Sequence, residues 1–384
     1  LNSDMEGKKA LSIQKYAKKK QLSFLRFDCR GHGKSYGVFH NFTITDWKND
    51  LLDMIDNITM GPQILIGSSL GGWLMMLAAK SRKSKIVGLI GLAPAADATM
   101  WMLNEFPKKV RNEIQIKGFS KFKKWNVILT KKAFASLVGC DNYQRIAIIP
   151  SASYGIGNVV NNISLKPNEE VLVLGEQFPS NIYPWSALCK KTRGKLVVVN
   201  RSDSLINSGE KWNEKILDSI TKKTKVVAIS NIHWVCGTLF NLMAIRKKTK
   251  KVGALLIIDG TQSVGALPFN IKKINPDALI CAGYKWLMGP YGIGLAYYGE
   301  VFDKGIPIED NWINRKNSKN FSELVNYNDN YGDFSARYNV GQQSNFILIP
   351  MLLAGLQQIK HWGIENIQNY CSDLISEEIK KIDN

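Results

Sequence analysis

The sequence is poor in the residues that build metal sites and disulfide frameworks. Its 384 residues include six cysteines and four histidines. No C-x-x-C pair or metal-like spacing occurs among the cysteines, which stand at positions 29, 140, 189, 236, 281 and 371. Such scattered thiols argue against a structural zinc site and a disulfide scaffold, and they predict a reducing, cytoplasmic location. We expect no metal cofactor.

Long uninterrupted hydrophobic runs are also missing. The most apolar stretch, 86–103, is broken by Pro94 and Asp97, and the opening LNSDMEGKKA lacks the cationic-then-apolar order of a signal peptide. We therefore expect neither a membrane span nor export. With 45% hydrophobic residues, the chain can instead bury a large core divided between two domains.

Acidic residues are in the minority. The chain carries 51 Lys and Arg against 32 Asp and Glu, a formal net charge of +19. Clustered basic residues can bind nucleic-acid phosphates, but these are spread along the whole chain without an RRM, KH or zinc-finger pattern. We interpret the charge as a solvated basic surface and expect no nucleic-acid partner. The densest basic stretch, 107–132, marks a boundary, so we predict a first domain over 1–118 and a basic junction over 119–130.

The first half alternates strand-like and helical patterns, as α/β domains do. LSFLRFD (22–28) is typical of a buried strand, and ITDWKNDLLDMIDNI (44–58) of an amphipathic helix. A second strand, QILIG (63–67), runs directly into the helix SSLGGWLMMLAAK (68–80). Their junction, GSSLG (67–71), matches G-x-S-x-G, in which glycines permit the sharp turn that lifts a serine oxygen out of a sheet. The alternative is an ordinary glycine-rich turn.

This half resembles the α/β-hydrolase superfamily, esterase or thioesterase branch, over about 1–118. The segments SDMEGKKA, FDCRGHGKS, GSSLGG and GLAPAAD carry the resemblance. It implies Ser69 as the catalytic nucleophile and the Leu70 N–H as an oxyanion donor. Such enzymes place Asp or Glu and then His after the serine, whereas only His233 and His361 follow Ser69 here, both in the second half. Because a serine hydroxyl without a base is a weak nucleophile, we expect a truncated, inactive hydrolase-like domain.

The second half has five strand-like runs, each leading into a turn. Ligands of open α/β sheets bind at the carboxyl ends of the strands, so the residues in these turns are expected to converge. A phosphate cradle is predicted after the first run, where a helix start offers N–H groups beside the hydroxyls of Ser151, Ser153 and Tyr154. Asp259 ends the fourth run, and Lys285 follows the fifth. The runs lie within 145–163, 171–185, 224–234, 252–269 and 276–286.

Together these residues indicate pyridoxal 5'-phosphate (PLP). A lysine amine in apolar surroundings is available to form a Schiff base with a carbonyl. Asp259, 26 residues before Lys285 (285 − 259), is the partner that keeps a pyridinium nitrogen protonated. Each feature alone has a plainer explanation, because a lysine after a strand is usually a solvated end and DGTQ can be a simple turn. Their joint order favours the cofactor.

The second half resembles the class V aminotransferase family of fold-type I PLP enzymes, which includes cysteine desulfurases and isopenicillin-epimerase-like proteins, over about 130–384. The motifs PSASYG, EQFPSNIYPW, DGTQSVGALP, GYKWLMGPYGIG and ARYNVGQQSNF carry this resemblance. It implies an α/β fold with a mainly parallel sheet in a PLP-binding large domain over 131–345. An incomplete small C-terminal domain is expected to start at 346 and run to 384.

The resemblance also assigns roles to residues. Lys285 becomes the catalytic lysine that binds PLP as a Schiff base, Asp259 pairs with the ring nitrogen, and Gln262 pairs with the phenolic oxygen. Phe178 stands near where many relatives stack a histidine on the ring. A homodimer is implied, with NVGQQSN (339–345) reaching the partner's phosphate. The full cofactor-binding set is Ser151, Ser153, Tyr154, Phe178, Asp259, Gln262, Tyr284 and Lys285.

Three functions remain open from the sequence. The leading hypothesis is a PLP-dependent enzyme that acts on an amino acid by transamination, elimination or epimerisation through Lys285. The second is a serine hydrolase of acyl esters that uses Ser69. The third is a basic interaction protein without catalysis. No cysteine occupies a loop position that suggests a desulfurase nucleophile, and Cys371, within a helical pattern, is interpreted as a packing residue.

Overall fold

The computed structural model describes residues 4–92, 94, 126–201, 207–321 and 324–382, and among these it leaves out the side chains of His40 and of 377–382. The chain divides into two compact units, Leu1–Lys123 and Lys124–Asn384. Most of the predicted junction (119–130) lies outside the described residues, and its last part, from Asn126, begins a helix. The predicted domain boundaries themselves stay predictions.

The first unit contains a parallel pair of strands with helices. The strands are β1 (Gln63–Ser68) and β2 (Ile86–Leu92), and the helices are α1 (Lys8–Lys19), α2 (Ile44–Asn57) and α3 (Leu70–Ser81). The predicted helix at 44–58, strand at 63–67 and following helix are thereby confirmed. Helix α2 begins where predicted because Thr43 and Asp46 form a reciprocal capping box, each side chain accepting a hydrogen bond from the other's backbone N–H.

The buried strand predicted over 22–28 is wrong. The segment pairs with no strand among the described residues, and Leu22 and Leu25 are 60% and 45% exposed. An apolar run indicates only that the segment favours an extended backbone. Whether it becomes a strand depends on an available neighbouring edge, which a local pattern does not reveal.

The second unit is built on a seven-stranded sheet. Its strand order is β3-β9-β8-β7-β6-β4-β5, and β9 alone runs antiparallel to its neighbours β3 and β8. All five strands predicted for this half are present. The strands are β3 (Ile146–Ile149), β4 (Glu170–Leu174), β5 (Lys195–Val199), β6 (Thr224–Ser230), β7 (Leu255–Asp259), β8 (Ala278–Ala282) and β9 (Gly294–Tyr298).

Helices cover both faces of this sheet. Alternate residues of β6 separate into two apolar clusters, Val227 with Ile229 on one face and Val226 with Ala228 on the other. The helices are α4 (Asn126–Leu137), α5 (Ala152–Val160), α6 (Tyr183–Thr192), α7 (Ser208–Ser219), α8 (Leu242–Val252), α9 (Ile271–Ile274), α10 (Leu348–Trp362) and α11 (Ile364–Ile382). Short 3₁₀ helices lie at Phe39–Asn41, Tyr143–Arg145, Pro179–Asn181, Glu300–Phe302, Trp312–Asn314 and Phe334–Tyr338.

The apolar clusters on the two faces of the sheet explain why its strands are continuous apolar runs in the sequence. A mainly parallel sheet is buried on both faces, so its strands need apolar residues at successive positions. Helix α10 contributes Ile349, Leu352 and Leu356 to the same cluster as the sheet. The predicted α/β class with a mainly parallel sheet is confirmed. Among the described residues, none of the helices combines the length and apolar character that a transmembrane span requires.

Candidate functional site

The candidate site lies at the carboxyl ends of the parallel strands. Asp259 is the last residue of β7, and Lys285 follows the end of neighbouring β8 at Ala282. Thr261 ties the two loops together. Its backbone N–H donates to Asp259 Oδ1 at 3.0 Å, and its hydroxyl accepts a hydrogen bond from the Ala282 N–H at 3.1 Å. The carboxylate and the lysine loop are thus held in a fixed relation.

Asp259 is a buried carboxylate. Only 8% of it is exposed, and this burial raises its pKa, while hydrogen bonds from Thr261 and the charge of Lys285 act in the opposite direction. Ser230, paired in register with Asp259, has a buried hydroxyl without a hydrogen-bond partner among the described residues. A buried carboxylate beside an unpaired hydroxyl is a costly arrangement without a ligand. It suits a site that binds a cationic polar group.

Lys285 faces an aromatic wall. Its Nζ lies 5.9 Å from the centroid of the Phe178 ring. Phe178 meets Trp234 edge to face, with centroids 5.4 Å apart, and Trp234 Nε1 donates to the Glu176 carbonyl at 2.7 Å. The aromatic pair is therefore anchored to the loop after β4. It provides a flat apolar surface next to the amine.

Two glycines let the lysine loop pack closely. A Cβ at Gly283 would lie 2.5 Å from the Ile293 carbonyl oxygen. Gly265 has a φ of +110°, and a Cβ there would collide with the Trp286 carbonyl. A side chain at either position would push the backbone around Lys285 away from the sheet.

The predicted phosphate cradle is a helix start. Ser151 caps α5 by accepting a hydrogen bond from the Tyr154 N–H at 3.2 Å, and its hydroxyl lies 2.9 Å from that of the exposed Ser153. Helix α5 also packs on the sheet, since a Cβ at Gly155 would lie 2.8 Å from the Ile280 side chain in β8. The free N–H groups of this start are positioned to bind an anion at the same edge as Lys285.

Three other predicted side chains are placed as follows. The Tyr154 hydroxyl donates to Glu309 Oε2 at 2.9 Å, which occupies it within the protein. Tyr284 stacks on Tyr291 with centroids 4.1 Å apart. Gln262 is partly buried in the turn after Asp259. The structure thus brings Lys285, Asp259 and Phe178 together. The roles of these three residues and of Tyr154, Tyr284 and Gln262 in a binding site stay predictions.

The first unit carries a strained serine. Ser69 has φ 51° and ψ −117°, a conformation that is costly for a residue other than glycine. A Cβ at Gly67 would collide with the Gly71 carbonyl, and one at Gly72 would lie 2.5 Å from Pro94 Cβ, while Gly71 itself has open space. The turn at Ser69 therefore has the geometry of a nucleophile elbow, and Gly67 and Gly72 make it possible.

Within the described part of the chain, no hydrogen bond joins the Ser69 hydroxyl to a histidine. His32 is held elsewhere, edge to face with Phe39 and Trp47 at 5.1 and 5.0 Å. Among the described side chains, the elbow therefore has no hydrogen-bonded histidine that could act as its base.

Sequence reasoning missed several residues around the site. Thr261 and Glu309 tie site loops together, and Cys236 lies 3.3 Å from His233 in the loop after β6. The H-x-x-C spacing just after a strand, in SNIHWVCGT, was the signal for the last pair. Within the described ranges, no group of three or more His, Cys, Asp or Glu side chains is placed to hold a metal ion.

Comparison with known proteins identifies the second unit. A family model described as aminotransferase class-V matches residues 108–384. The chain belongs to this family. A model described as serine aminopeptidase, S33, matches residues 9–138 in addition. The class-V match spans the whole described sheet of the second unit, and the other match contains Ser69.

Curated relatives match the two halves separately. Palmitoyl-protein thioesterase ABHD10, mitochondrial, of Bos taurus is 44% identical over 116 residues, covering 30% of this chain and 38% of the thioesterase. The aminotransferase YcbU of Bacillus subtilis is 22% identical over 251 residues, covering 65% of this chain and 63% of YcbU. The chain thus spans less than two-fifths of the thioesterase and under two thirds of YcbU.

Solved structures share the fold of the second unit. An apo cysteine desulfurase from Thermococcus onnurineus superposes with a TM-score of 0.59 at 20% identity, covering 75% of this chain and 70% of that one. A lysine variant of C-DES, with glycine covalently linked to its PLP cofactor, superposes with a TM-score of 0.54 at 18% identity, covering 69% and 66%. The predicted fold-type I architecture is confirmed.

Proposed function

We propose that the second unit is a PLP-dependent enzyme that acts on the amino group of an amino acid, by transamination, elimination or epimerisation. The observation that carries the proposal is the buried carboxylate of Asp259, on the strand next to the one that delivers Lys285. Membership in the class-V aminotransferase family supports it. So does the PLP cofactor of the C-DES structure, which has the same fold and in which the cofactor is linked to glycine.

The residues present fit this cofactor. Lys285 is the amine for covalent attachment, Asp259 is the buried anion for the ring nitrogen, and Phe178 offers an apolar face for the ring. The capped start of α5, with Ser151 and Ser153, suits the phosphate. Gln262 and Tyr284 are proposed as partners of the phenolic oxygen and the phosphate. The unpaired buried hydroxyl of Ser230 leaves a further polar group for a ligand.

The cofactor, when bound, supplies an electron sink for the bonds at the substrate's α-carbon. The chain's own residues supply the rest. Asp259 would stabilise a positive charge on the ring nitrogen of a bound cofactor, because a buried carboxylate gains most from a cation close by. Phe178 cannot exchange protons, so proton transfer at the α-carbon falls to the Lys285 amine. Phe178 and Trp234 place an aromatic surface on one side of that amine.

We also propose the assembly and the compartment. A homodimer in which residues 339–345 approach the partner's phosphate site follows from the family resemblance. In this structure, the Gly341 N–H donates to Glu309 Oε1 at 3.0 Å, and the same carboxylate accepts from Tyr154, so this segment is tied to α5. Free thiols at all six cysteines support a reducing compartment such as the cytoplasm.

The test is the absorbance of the purified chain after incubation with PLP. We expect a visible band that shifts when an amino acid is added, and we expect Lys285→Ala to lose the band. Lys272→Ala is the matched control, because Lys272 is 60% exposed and pairs with Asp141 on the surface. Loss of the band in both variants, or in neither, would contradict the assignment.

A further inference from the structure

A cysteine–histidine pair lies in the loop after β6, distinct from Lys285 and Asp259. Cys236 Sγ is 3.3 Å from His233 Nδ1 and 3.2 Å from Thr238 Oγ1. His233 is 1% exposed, whereas Cys236 is partly exposed. A partly exposed thiol is therefore in contact with a buried imidazole.

The structure fixes which nitrogen of His233 carries the proton. Its Nε2 lies 3.1 Å from the carbonyl oxygen of Gly175, which can only accept a hydrogen bond. Nε2 must therefore donate, which leaves the lone pair of Nδ1 facing the Cys236 thiol. Burial lowers the pKa of His233, while the hydrogen bond to the Gly175 carbonyl and the charge of Glu176 oppose this, so the net effect favours the neutral imidazole that can act as a base.

Four of the other cysteines lack this arrangement. Burial raises the pKa of Cys29 to about 12, and it also raises the pKa values of Cys140, Cys189 and Cys281. The Cys29 and Cys140 thiols donate to the carbonyl oxygens of Trp47 and Asn142, which cannot take a proton. Because the thiolate is the reactive form of cysteine, these thiols are poor nucleophiles. Cys236 is the thiol with a nitrogen base oriented by a third group.

We propose that Cys236 is a peroxide-reactive site, with His233 as its general base. The Cys236 sulfur attacks one oxygen of hydrogen peroxide, and the S–O bond forms as the O–O bond breaks. The thiol proton passes to His233 Nδ1 and then to the departing hydroxide, which leaves as water. The sulfur is oxidised to a sulfenic acid and the peroxide is reduced. Partial exposure of Cys236 favours so small an oxidant over a bulky one.

Oxidation of Cys236 is expected to affect the aromatic residues beside Lys285. Cys236 is two residues after Trp234, which packs against Phe178, the aromatic ring that faces Lys285. Oxidation also replaces the S–H group that faces His233 Nδ1 with a larger S–O–H group, which moves the donor by one atom. A change at Cys236 is thereby transmitted to the wall beside Lys285.

The experiment treats the full chain with hydrogen peroxide, traps sulfenic acid with dimedone and maps the labelled peptides over time. We expect Cys236 to be labelled at least about 10-fold faster than Cys371, which is also partly exposed. In His233→Gln, the amide can still donate to the Gly175 carbonyl, but the base is gone. Labelling of Cys236 is expected to slow by roughly 10- to 100-fold. His361→Gln, at an exposed position of α10, is the matched control and is expected to keep the fast rate.

Two results would overturn the proposal. One is labelling of Cys236 and Cys371 at equal rates in the unmodified chain, a comparison that does not depend on any variant folding. The other is an unchanged rate at Cys236 in a folded His233→Gln protein, as judged by its circular dichroism.

Discussion

Lys131 is a buried amine whose protonation is coupled to stability. It lies in α4 with 8% exposure, and its Nζ donates to Asn339 Oδ1 at 2.8 Å. Burial lowers its pKa from 10.5 to about 7. The same Asn339 oxygen accepts a hydrogen bond from the Ile148 N–H at 2.9 Å, so it keeps a partner if the amine is removed. Replacement by methionine therefore removes a buried charge without leaving an unpaired acceptor.

Whether stability rises or falls with pH depends on how many protons Lys131 binds in the folded and in the unfolded chain. Between pH 7 and 10.5 the unfolded chain holds a proton at Lys131 that the folded chain has released. Stability must then rise with pH across this range, because the unfolded state binds more protons. At 1.36 kcal/mol per pKa unit, the full penalty is on the order of 5 kcal/mol. About 2 kcal/mol of it is relieved between pH 7 and pH 9.

The pH-dependent penalty of burying Lys131 can be measured by denaturant unfolding of the parent chain and of Lys131→Met at pH 7 and at pH 9. We expect the variant to be the more stable protein, with an advantage at pH 7 that exceeds its advantage at pH 9 by about 2 kcal/mol. Lys247→Met, on an exposed position of α8, is the control for loss of one surface charge and is expected to change stability by less than about 0.5 kcal/mol. Equal advantages of Lys131→Met at both pH values would refute the reasoning.

Three further predictions concern the site, the first unit and the assembly. Asp259→Ala keeps Lys285 and is expected to retain the visible band with PLP while turnover falls by about 100-fold, as spectra and amino-acid kinetics can show. An unchanged turnover would rule out the proposed ring-nitrogen contact. Ser69→Ala is expected to change neither PLP binding nor hydrolysis of an acyl ester, and ester hydrolysis abolished by this substitution would mean that the serine has a base. Sedimentation is expected to show a homodimer, against which a monomer with full PLP occupancy would count.

The sheet of the second unit could be predicted because its strands are buried on both faces. Runs such as VLVL in β4 and LLII in β7 contain no polar residue that would interrupt the apolar pattern. Strand β9 was missed because it follows the Gly- and Pro-rich GPYGIG, which looks like a turn. The error at 22–28 has the opposite cause, since an apolar pattern was present but no described strand pairs with it.

The sequence could predict those site residues that lie at the carboxyl ends of strands. Asp259 and Lys285 follow neighbouring parallel strands, so their convergence could be inferred. Side-chain contacts between residues far apart in the sequence could not be predicted. The Tyr154 hydroxyl was expected to serve a phosphate, but it donates to Glu309, 155 residues away. Likewise His233 and Cys236 are close in sequence, yet the Gly175 carbonyl that orients the imidazole comes from another strand end, 58 residues from His233.

The central claim, that Lys285 holds PLP covalently, is tested most directly by borohydride reduction of the chain incubated with PLP, followed by peptide mapping. We predict a pyridoxyl label on Lys285, in the peptide around AGYKW, and none in Lys285→Ala. The exposed Lys272 serves as an internal control for nonspecific reaction. A label on another lysine instead of Lys285, or no label on the parent chain, would contradict the account.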